Sequence, residues 1–552
     1  MNTIKKYLIV FAFLFLGIST FAQTENPVIA AIQKEVERNK TELKMEGMAP
    51  PFFISYTIFD MYYYQLTASL GKINTYNESH LRRGIPTLLV GDYHRNNLNL
   101  ADRTYRSLST TALYDNGSGI SFTIWRDLDG MYKTAVEQYR TKMAILQQQT
   151  QTDEEKNLPD FEKVKPVHTI MSQVPNDFDK TYWESYVRNV SETAKLYPDI
   201  LQSSVSVTAR NIMAYTYNTE GSRYAVPTVY YRLMFVANTR TKDGQDLTHS
   251  ILAEHASLKL MPDAATFTER CKTMMENLLK LKEAPLMDDA YCGPVLIEGA
   301  AVGRIFEKML YQQNRLTASP KLIQPYSYYY SGASSTGGDL ELMLNKKVIS
   351  RSLTIKSITG QEFYKGECLN GYYPVDAEGV APAKELLLIE NGVLRNLLNG
   401  RRPTKKIGKS NGHTRYDFTS NSFRVIPGNI IITSNQTFSD KELRKKLIEA
   451  AIEEDLDYAY IVRQYDNGIN LIYRIYVSDG REELVRGATI VDDTNLKAFK
   501  RILGASDKEL IVSYGEVQTT FIFPSALLFE EMDITRISNI EFKKPYLVPK
   551  PQ

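Results

Sequence analysis

Tyrosine is the residue that most constrains what this chain can fold into. The sequence contains 36 tyrosines against 22 phenylalanines, with runs at 62–64 and 328–330. Tyrosine favours strands and half-buried positions, because its ring packs against apolar neighbours while its hydroxyl keeps a polar partner. The excess therefore predicts large antiparallel sheets with tyrosine-rich strands. An aromatic platform for a ligand is the lesser alternative.

Length and composition place the chain among globular proteins. Its 552 residues predict two or three domains. The 43% hydrophobic and 24% charged residues exclude a disordered chain, a collagen-like fibre and a coiled-coil rod. Strand-like segments alternate with a few helical ones without a regular βαβ repeat, which predicts an α+β fold with largely antiparallel sheets and flanking helices.

The first 22 residues are typical of a bacterial export signal. Lys5 and Lys6 precede an apolar run from Tyr7 to Ile18, which is shorter than the roughly 20 residues of a membrane span. Small residues before Gln23 predict cleavage between Ala22 and Gln23, and the lack of a following cysteine argues against a lipid anchor. We therefore expect a bacterial protein exported to the periplasm or the extracellular space.

The charge and the cysteine content limit which binding partners and which disulfides we expect for the mature chain. Cleavage removes Lys5 and Lys6 and lowers the formal net charge from +2 to zero, so nothing in the charge favours nucleic acid or an anionic membrane. No later stretch is apolar enough to predict a membrane span. Cys271, Cys292 and Cys368 leave room for one disulfide, and the fold must rest on its core.

Periodicity divides the chain into segments. We predict an N-terminal α+β domain over 23–287, with a helical insertion at about 128–200, and a β-rich C-terminal domain over 288–552. The patterns predict hairpins over 51–125 and strands at 203–216, 228–237 and 293–298. They predict helices at 27–45, 264–281, 302–316, 439–454 and 494–503, the fourth opened by a capping box at Ser439 and Glu442.

Motif by motif, the residues alone predict no active site. No histidine lies in an H-E-x-x-H motif, and His249 to His255 have the alternation of a strand. The segment Gly332–Gly338 lacks the lysine of a phosphate-binding loop and is interpreted as a flexible loop. The basic run Arg401–Lys406 follows a turn and is interpreted as a solvated loop.

The C-terminal half resembles the TldD/PmbA family of metallopeptidase-related proteins, also called modulators of DNA gyrase. The resemblance rests on short motifs in consistent order over about residues 290–530, namely Pro374–Gly379, Glu385–Leu394, Ser410–Arg415 and Arg486–Thr489. It implies a two-domain fold and, in active members, a helix carrying H-E-x-x-x-H with a late cysteine as the zinc site.

At the positions that match those zinc ligands, this sequence has other residues. Phe306 and Tyr311 stand at the two histidines, and Tyr514 stands at the cysteine, or Ser513 with a slip of one residue. Glu307 matches the catalytic glutamate, and we expect it to lie exposed beside Lys308. Zinc takes nitrogen, thiolate or carboxylate ligands, and shifting the helix brings only Leu310, so we expect no metal cofactor here.

The resemblance therefore implies a non-catalytic subunit like the PmbA-type one. Such a subunit forms a homodimer or pairs with a zinc-bearing TldD-like paralogue, and it binds unfolded peptides rather than nucleic acid. Two alternatives stay open. One is an active metallopeptidase that holds zinc through replacement ligands such as Glu307 with His413 or His255. The other is a structural envelope protein without either role.

Overall fold

The computed structural model describes residues 26–101, 109–113, 117–312, 314–323, 340–465, 469–491, 496–515 and 517–544. The predicted export signal, the second tyrosine run and the segment Gly332–Gly338 lie outside these ranges. The described helices are α1 (Pro27–Glu42), α2 (Ser118–Gln148), α3 (Asp153–Asn157), α4 (Lys180–Glu192), α5 (Ala264–Glu283), α6 (Ala300–Phe306) and α7 (Asp440–Glu453). None of them is long and apolar enough to cross a membrane.

The strands before residue 287 form one sheet in the order β3-β2-β1-β5-β6-β4, with β7 also paired to β6. They are β1 (Pro51–Ser69), β2 (Lys72–Val90), β3 (Ser109–Thr111), β4 (His168–Ile170), β5 (Gln202–Asn218), β6 (Arg223–Arg240) and β7 (Asp246–His255). All pairs except β4 with β6 are antiparallel.

The two faces of this N-terminal sheet pack against different partners. On β1, Ile54, Tyr56 and Ile58 lie in one core with α1 and α2. Phe59 lies in a different cluster, with Tyr416 from the C-terminal half. Because successive side chains of a strand point to opposite faces, one face of β1 packs against α1 and α2 and the other packs against the C-terminal half.

The strands after residue 287 form two larger sheets and two short hairpins. They are β8 (Tyr291–Glu298), β9 (Leu353–Ser357), β10 (Phe363–Tyr364), β11 (Glu367–Cys368), β12 (Leu386–Glu390), β13 (Val393–Leu394), β14 (Thr414–Asp417), β15 (Ser422–Val425), β16 (Asn429–Ser434), β17 (Thr437–Phe438), β18 (Tyr458–Tyr465), β19 (Asn470–Tyr476), β20 (Glu482–Val485), β21 (Ala488–Ile490), β22 (Ile502–Ser506), β23 (Glu509–Tyr514), β24 (Thr519–Pro524) and β25 (Ala526–Arg536). One sheet has the order β13-β12-β9-β16-β24-β23, and the other has the order β17-β22-β25-β8-β18-β19-β20 with β21 beside β25.

The predicted α+β class with largely antiparallel sheets is confirmed, and three predicted elements need correction. Trp125 lies in α2 rather than in a hairpin, since the hairpin of β1 and β2 ends at Val90. The helix predicted over 302–316 is α6 followed by a π-helical turn at Glu307–Gln312. Of the helix predicted over 494–503, the described part is a short 3₁₀ turn at Ala498–Lys500 that leads into β22.

Other local predictions are confirmed. The capping box at Ser439 is formed, because its hydroxyl accepts from the Glu442 N–H while the Glu442 carboxylate accepts from the Ser439 N–H. The predicted helix over 264–281 is α5, and the predicted strand over 249–255 is part of β7. All three cysteines are free thiols, so the fold rests on its core.

The prediction that Arg401 lies in a solvated loop is wrong. Its side chain is fully buried and pairs with Glu220 at 2.6 Å, and its guanidinium also donates to the backbone carbonyl of Glu162. The same group lies 4.0 Å from the ring centroid of Phe161. A basic run cannot reveal such a site, because the partners lie about two hundred residues away in sequence. Arg401 joins the two halves of the chain.

We predict that Arg401→Met destabilises the protein by on the order of 3–5 kcal/mol, because it leaves the Glu220 carboxylate buried without its counter-ion. The measurement is the free energy of unfolding from equilibrium urea denaturation.

Arg395→Met is the matched control. Arg395 pairs with Glu390 at 3.0 Å, with side chains 42% and 45% exposed, so its removal costs less than about 1 kcal/mol. Equal losses in the two variants contradict a special role for the buried pair.

Candidate functional site

The helix that we expected to correspond to the family's zinc-bearing helix lies between the two C-terminal sheets. α6 begins after Gly299, which has a positive φ of 66°, and it continues as the π-helical turn. Ile305, Phe306, Met309 and Leu310 are all buried in the core that the two sheets share. Their side chains are held by packing, as expected from the apolar face of the predicted helix.

The residues at the matching ligand positions belong to an aromatic cluster. Phe306 packs edge-on against Phe499, with ring centroids 4.8 Å apart. Tyr311 and Tyr514 both pack edge-on against Phe521, at 5.2 Å and 5.6 Å. Rings therefore fill the volume beside α6 where active relatives are expected to place zinc ligands.

The two tyrosine hydroxyls of this cluster are poor metal ligands. The Tyr311 hydroxyl is buried with no hydrogen-bond partner among the described residues, and burial raises the pKa of this phenol above its ordinary value of 10. The Tyr514 hydroxyl lies 3.4 Å from the carbonyl oxygen of Ala300. It also occupies the space beside Gly303, where a Cβ would collide with it. The neutral phenols and the Phe306 ring do not fit zinc.

Glu307 does not lie in the exposed position that we expected. Its side chain is 20% exposed, and its Oε2 accepts a hydrogen bond from Arg304 Nη1 at 2.5 Å. The guanidinium of Arg304 in turn lies 4.8 Å from the ring centroid of Tyr514. The carboxylate is thus committed to an ion pair one turn back along its own helix.

The proposed replacement ligands do not come together. His413 is buried, with Nδ1 2.8 Å from Asn411 Oδ1 and Nε2 2.9 Å from the Ser357 hydroxyl, and burial lowers its pKa to about 3. His255 lies half-buried at the end of β7. Within the described ranges, no three His, Cys, Asp or Glu side chains form a group able to hold a metal ion.

Sequence reasoning missed a cavity of about 280 Å³ between the N-terminal sheet and the C-terminal half. Thr57 and Phe59 line it from β1, and Asp376, Arg415 and Tyr416 line it from the opposite side. Asp376 and Arg415 belong to motifs that carry the family resemblance, and Tyr416 directly follows one of them. Those motifs could have indicated the cavity, because residues that are characteristic of a fold can also line its binding surface.

Asp376 holds the turn beside this cavity. Its Oδ1 accepts from the N–H groups of Glu378 and Val380, and its Oδ2 accepts from the Thr414 N–H at 3.0 Å. Glu378 accepts from the Thr414 hydroxyl and from the Arg401 N–H, both at 2.8 Å. Burial and the neighbouring Glu378 carboxylate raise the pKa of Asp376 to about 7.

This raised pKa predicts a pH-dependent stability. The folded protein binds the Asp376 proton more tightly than the unfolded chain, whose pKa is near 3.9, so the resulting stability is complete below about pH 4 and is lost as pH rises through 7. The Asn variant has no carboxyl to ionise, so its free energy of unfolding lacks this pH dependence. We expect the difference in free energy of unfolding, Asp376→Asn minus native, to rise by on the order of 2 kcal/mol from pH 5 to pH 8. Urea denaturation at both pH values measures this gain.

Asp417→Asn is the control on the adjacent hairpin. Burial opposes ionisation of Asp417, but hydrogen bonds from Ser420 and Thr419 outweigh it and lower the pKa below the ordinary 3.8. Its contribution is complete above about pH 4, so the effect of this variant should be constant from pH 5 to pH 8. A constant effect of Asp376→Asn over the same range contradicts the raised pKa.

Comparison with known proteins identifies a known domain in the C-terminal half of the chain. The model of the family described as the PmbA/TldA metallopeptidase C-terminal domain matches residues 323–536. No curated protein matches the chain.

Solved structures share the fold along nearly the whole chain. A candidate modulator of DNA gyrase from Thermotoga maritima is 14% identical, with a TM-score of 0.59, and the alignment covers 91% of this chain and 100% of that one. TldE from Thermococcus kodakarensis is 12% identical, with a TM-score of 0.56 and coverages of 91% and 99%. A candidate modulator of DNA gyrase from Bacteroides thetaiotaomicron is 10% identical, with a TM-score of 0.56 and coverages of 93% and 99%. Residues 323–536 therefore match the PmbA/TldA metallopeptidase C-terminal domain, and the chain shares the fold of these solved structures along most of its length.

Proposed function

We propose that this chain is a zinc-free subunit of the TldD/PmbA family that does not hydrolyse peptides by itself. The observation that carries the proposal is the aromatic cluster beside α6, where Phe306, Tyr311 and Tyr514 stand at the positions of the zinc ligands. Without a metal, no water in this pocket is acidified toward neutral pH, and Glu307 has no nucleophile to activate.

The proposed role is peptide binding. The cavity between the two halves supports it, because it combines apolar walls with a few buried polar groups, as binding sites for organic ligands do. The subunit acts in the periplasm or the extracellular space, as a homodimer or paired with a zinc-bearing TldD-like paralogue that supplies the hydrolysis.

Metal analysis together with a peptidase assay tests the absence of catalysis. We expect the mature chain, purified without chelator, to contain less than about a tenth of an equivalent of zinc, because no described group of side chains can hold the ion. We expect its activity on unfolded peptides to equal the background, and Glu307→Gln to leave it unchanged.

Glu449→Gln is the control for this assay, since Glu449 lies 51% exposed on α7 and pairs with Lys445. Stoichiometric zinc together with hydrolysis that is lost in Glu307→Gln and kept in Glu449→Gln would falsify the proposal in favour of an active enzyme.

Export has its own prediction. After expression of the full chain in a bacterium, N-terminal sequencing of the secreted or periplasmic protein should begin at Gln23, because small residues precede it. Ala22→Trp should block this cleavage by placing a bulky side chain at the cut, whereas Phe21→Trp, one residue earlier, should leave it intact. A cytoplasmic product that keeps its first 22 residues contradicts the proposal.

A further inference from the structure

The cavity between the two halves has one wall from each. The N-terminal wall comes from β1, β5 and β6, and the opposite wall includes the hairpin of β14 and β15 and the turn that holds Asp376. Glu362 and Cys368 line the cavity and are exposed, so the cavity reaches the surface beside them. A ligand can therefore enter from that side.

Arg415 brings a cation to this cavity without an acidic partner. Its Nη1 donates to the carbonyl oxygens of Gln518 at 2.6 Å and Pro427 at 3.3 Å. Its guanidinium lies 5.0 Å from the ring centroid of Tyr373, which also lines the cavity. In the part of the chain that the structure describes, no carboxylate forms an ion pair with Arg415. Burial lowers the pKa of this guanidinium below its ordinary value.

The contrast with Arg401 shows why this matters. Arg401 is fully buried and Glu220 neutralises it, whereas Arg415 is partly buried. A partly buried cation that lacks a counter-ion is costly in free energy, and an anionic ligand relieves that cost. Arg415 presents a planar fork of N–H donors, the geometry that pairs best with a carboxylate.

The other charged side chains that line the cavity are less suited than Arg415 to bind an anionic ligand. The guanidinium of Arg210 stacks over the ring of Tyr63, and Glu362 is exposed at the surface. Both oxygens of Asp376 already accept backbone N–H groups, so this carboxyl is engaged within its own turn.

The walls and the size of the cavity define what accompanies the anion. Aromatic side chains dominate the wall beside Arg415, and they form one cluster that includes Phe59, Tyr416, Phe418 and Phe423. A volume of about 280 Å³ lies just below the range of roughly 300–1,000 Å³ for ligand pockets. It suits the end of a chain rather than a long segment.

We propose that Arg415 binds a carboxylate of a peptide ligand in this cavity, with an adjacent apolar side chain packed against Phe59 and Tyr416. The inference rests on the proposed peptide-binding function and names the chemical group that the site recognises. The carboxylate comes from the C-terminus of a peptide or from an Asp or Glu side chain.

Fluorescence anisotropy on the mature chain tests the inference with three labelled peptides. One is a pentapeptide of Gly, Ser and Ala that ends in phenylalanine with a free carboxylate, and the second is the same peptide with a C-terminal amide. The third is also amidated but has Glu before the phenylalanine. We expect the free acid to bind at least about tenfold more tightly than the neutral amide, because only the acid pairs with Arg415.

Arg415→Gln should bring the affinity for the free acid down to that for the amide. Arg424→Gln is the matched control, since Arg424 is the exposed arginine directly opposite Arg415 across the β14–β15 pair. It should leave the difference between acid and amide intact. Tight binding of the Glu-containing amide, lost in Arg415→Gln, also supports the carboxylate site and assigns its source to a side chain.

Equal affinity for the free acid and the neutral amide, or unchanged binding in Arg415→Gln, overturns the inference, although peptide binding itself then still stands. Absence of binding by every peptide overturns the inference and the peptide-binding role together. The comparison of acid and amide uses the native chain, so the test does not depend on the folding of a variant. Zinc content and hydrolysis, measured on the same sample, report separately on the absence of catalysis.

Discussion

The buried guanidinium of Arg401 organises the contact between the two halves of the protein. A cation without water is tolerated only where several acceptors surround it, and here they come from distant segments: the Glu220 carboxylate and the Glu162 and Glu378 carbonyls. Glu378 extends this network to Thr414, the first residue of β14. The same interactions that join the halves therefore fix the turn and the strand that border the cavity, so the site depends on the interface as a whole.

Two parts of the C-terminal half solve the problem of buried polar groups in opposite ways. Beside α6, Phe306, Tyr311 and Tyr514 pack against Phe499 and Phe521, and the polar groups of these rings are the two tyrosine hydroxyls. At the cavity, charged groups stay buried and are held by backbone N–H groups and carbonyls. The two places therefore differ in what they can do. Packed aromatic rings stabilise the folded protein, whereas a charged group beside a cavity can recognise a ligand of opposite charge.

The sequence predicted local elements well and long-range partners poorly. The capping box at Ser439 and the periodicity of α5 depend on residues within a few positions, so both were predictable. The burial of Arg401 could not be predicted, because it depends on contacts with Glu220 and Phe161. These residues are distant in sequence and come close only in the folded chain. Likewise, the resemblance placed Phe306 and Tyr311, but the cavity needs β1 and β14 to meet, and no pattern along one strand reveals that encounter.

Arg401 and Arg415 differ in their counter-ions, and this difference supports the proposed ligand site beside Arg415. The Arg401 side chain is fully buried and the Arg415 side chain is partly buried, and both guanidiniums lie near aromatic rings. Arg401 has a carboxylate at 2.6 Å and serves the fold, whereas Arg415 has two carbonyls, which orient it without cancelling its charge. Arg415 is held in place beside the cavity and forms no ion pair among the described residues, so it is pre-organised to bind an anion. The guanidinium of Arg415 loses part of its hydration when the protein folds, so this desolvation does not oppose ligand binding. A carboxylate that enters the cavity therefore gains most of the Coulomb energy of the ion pair.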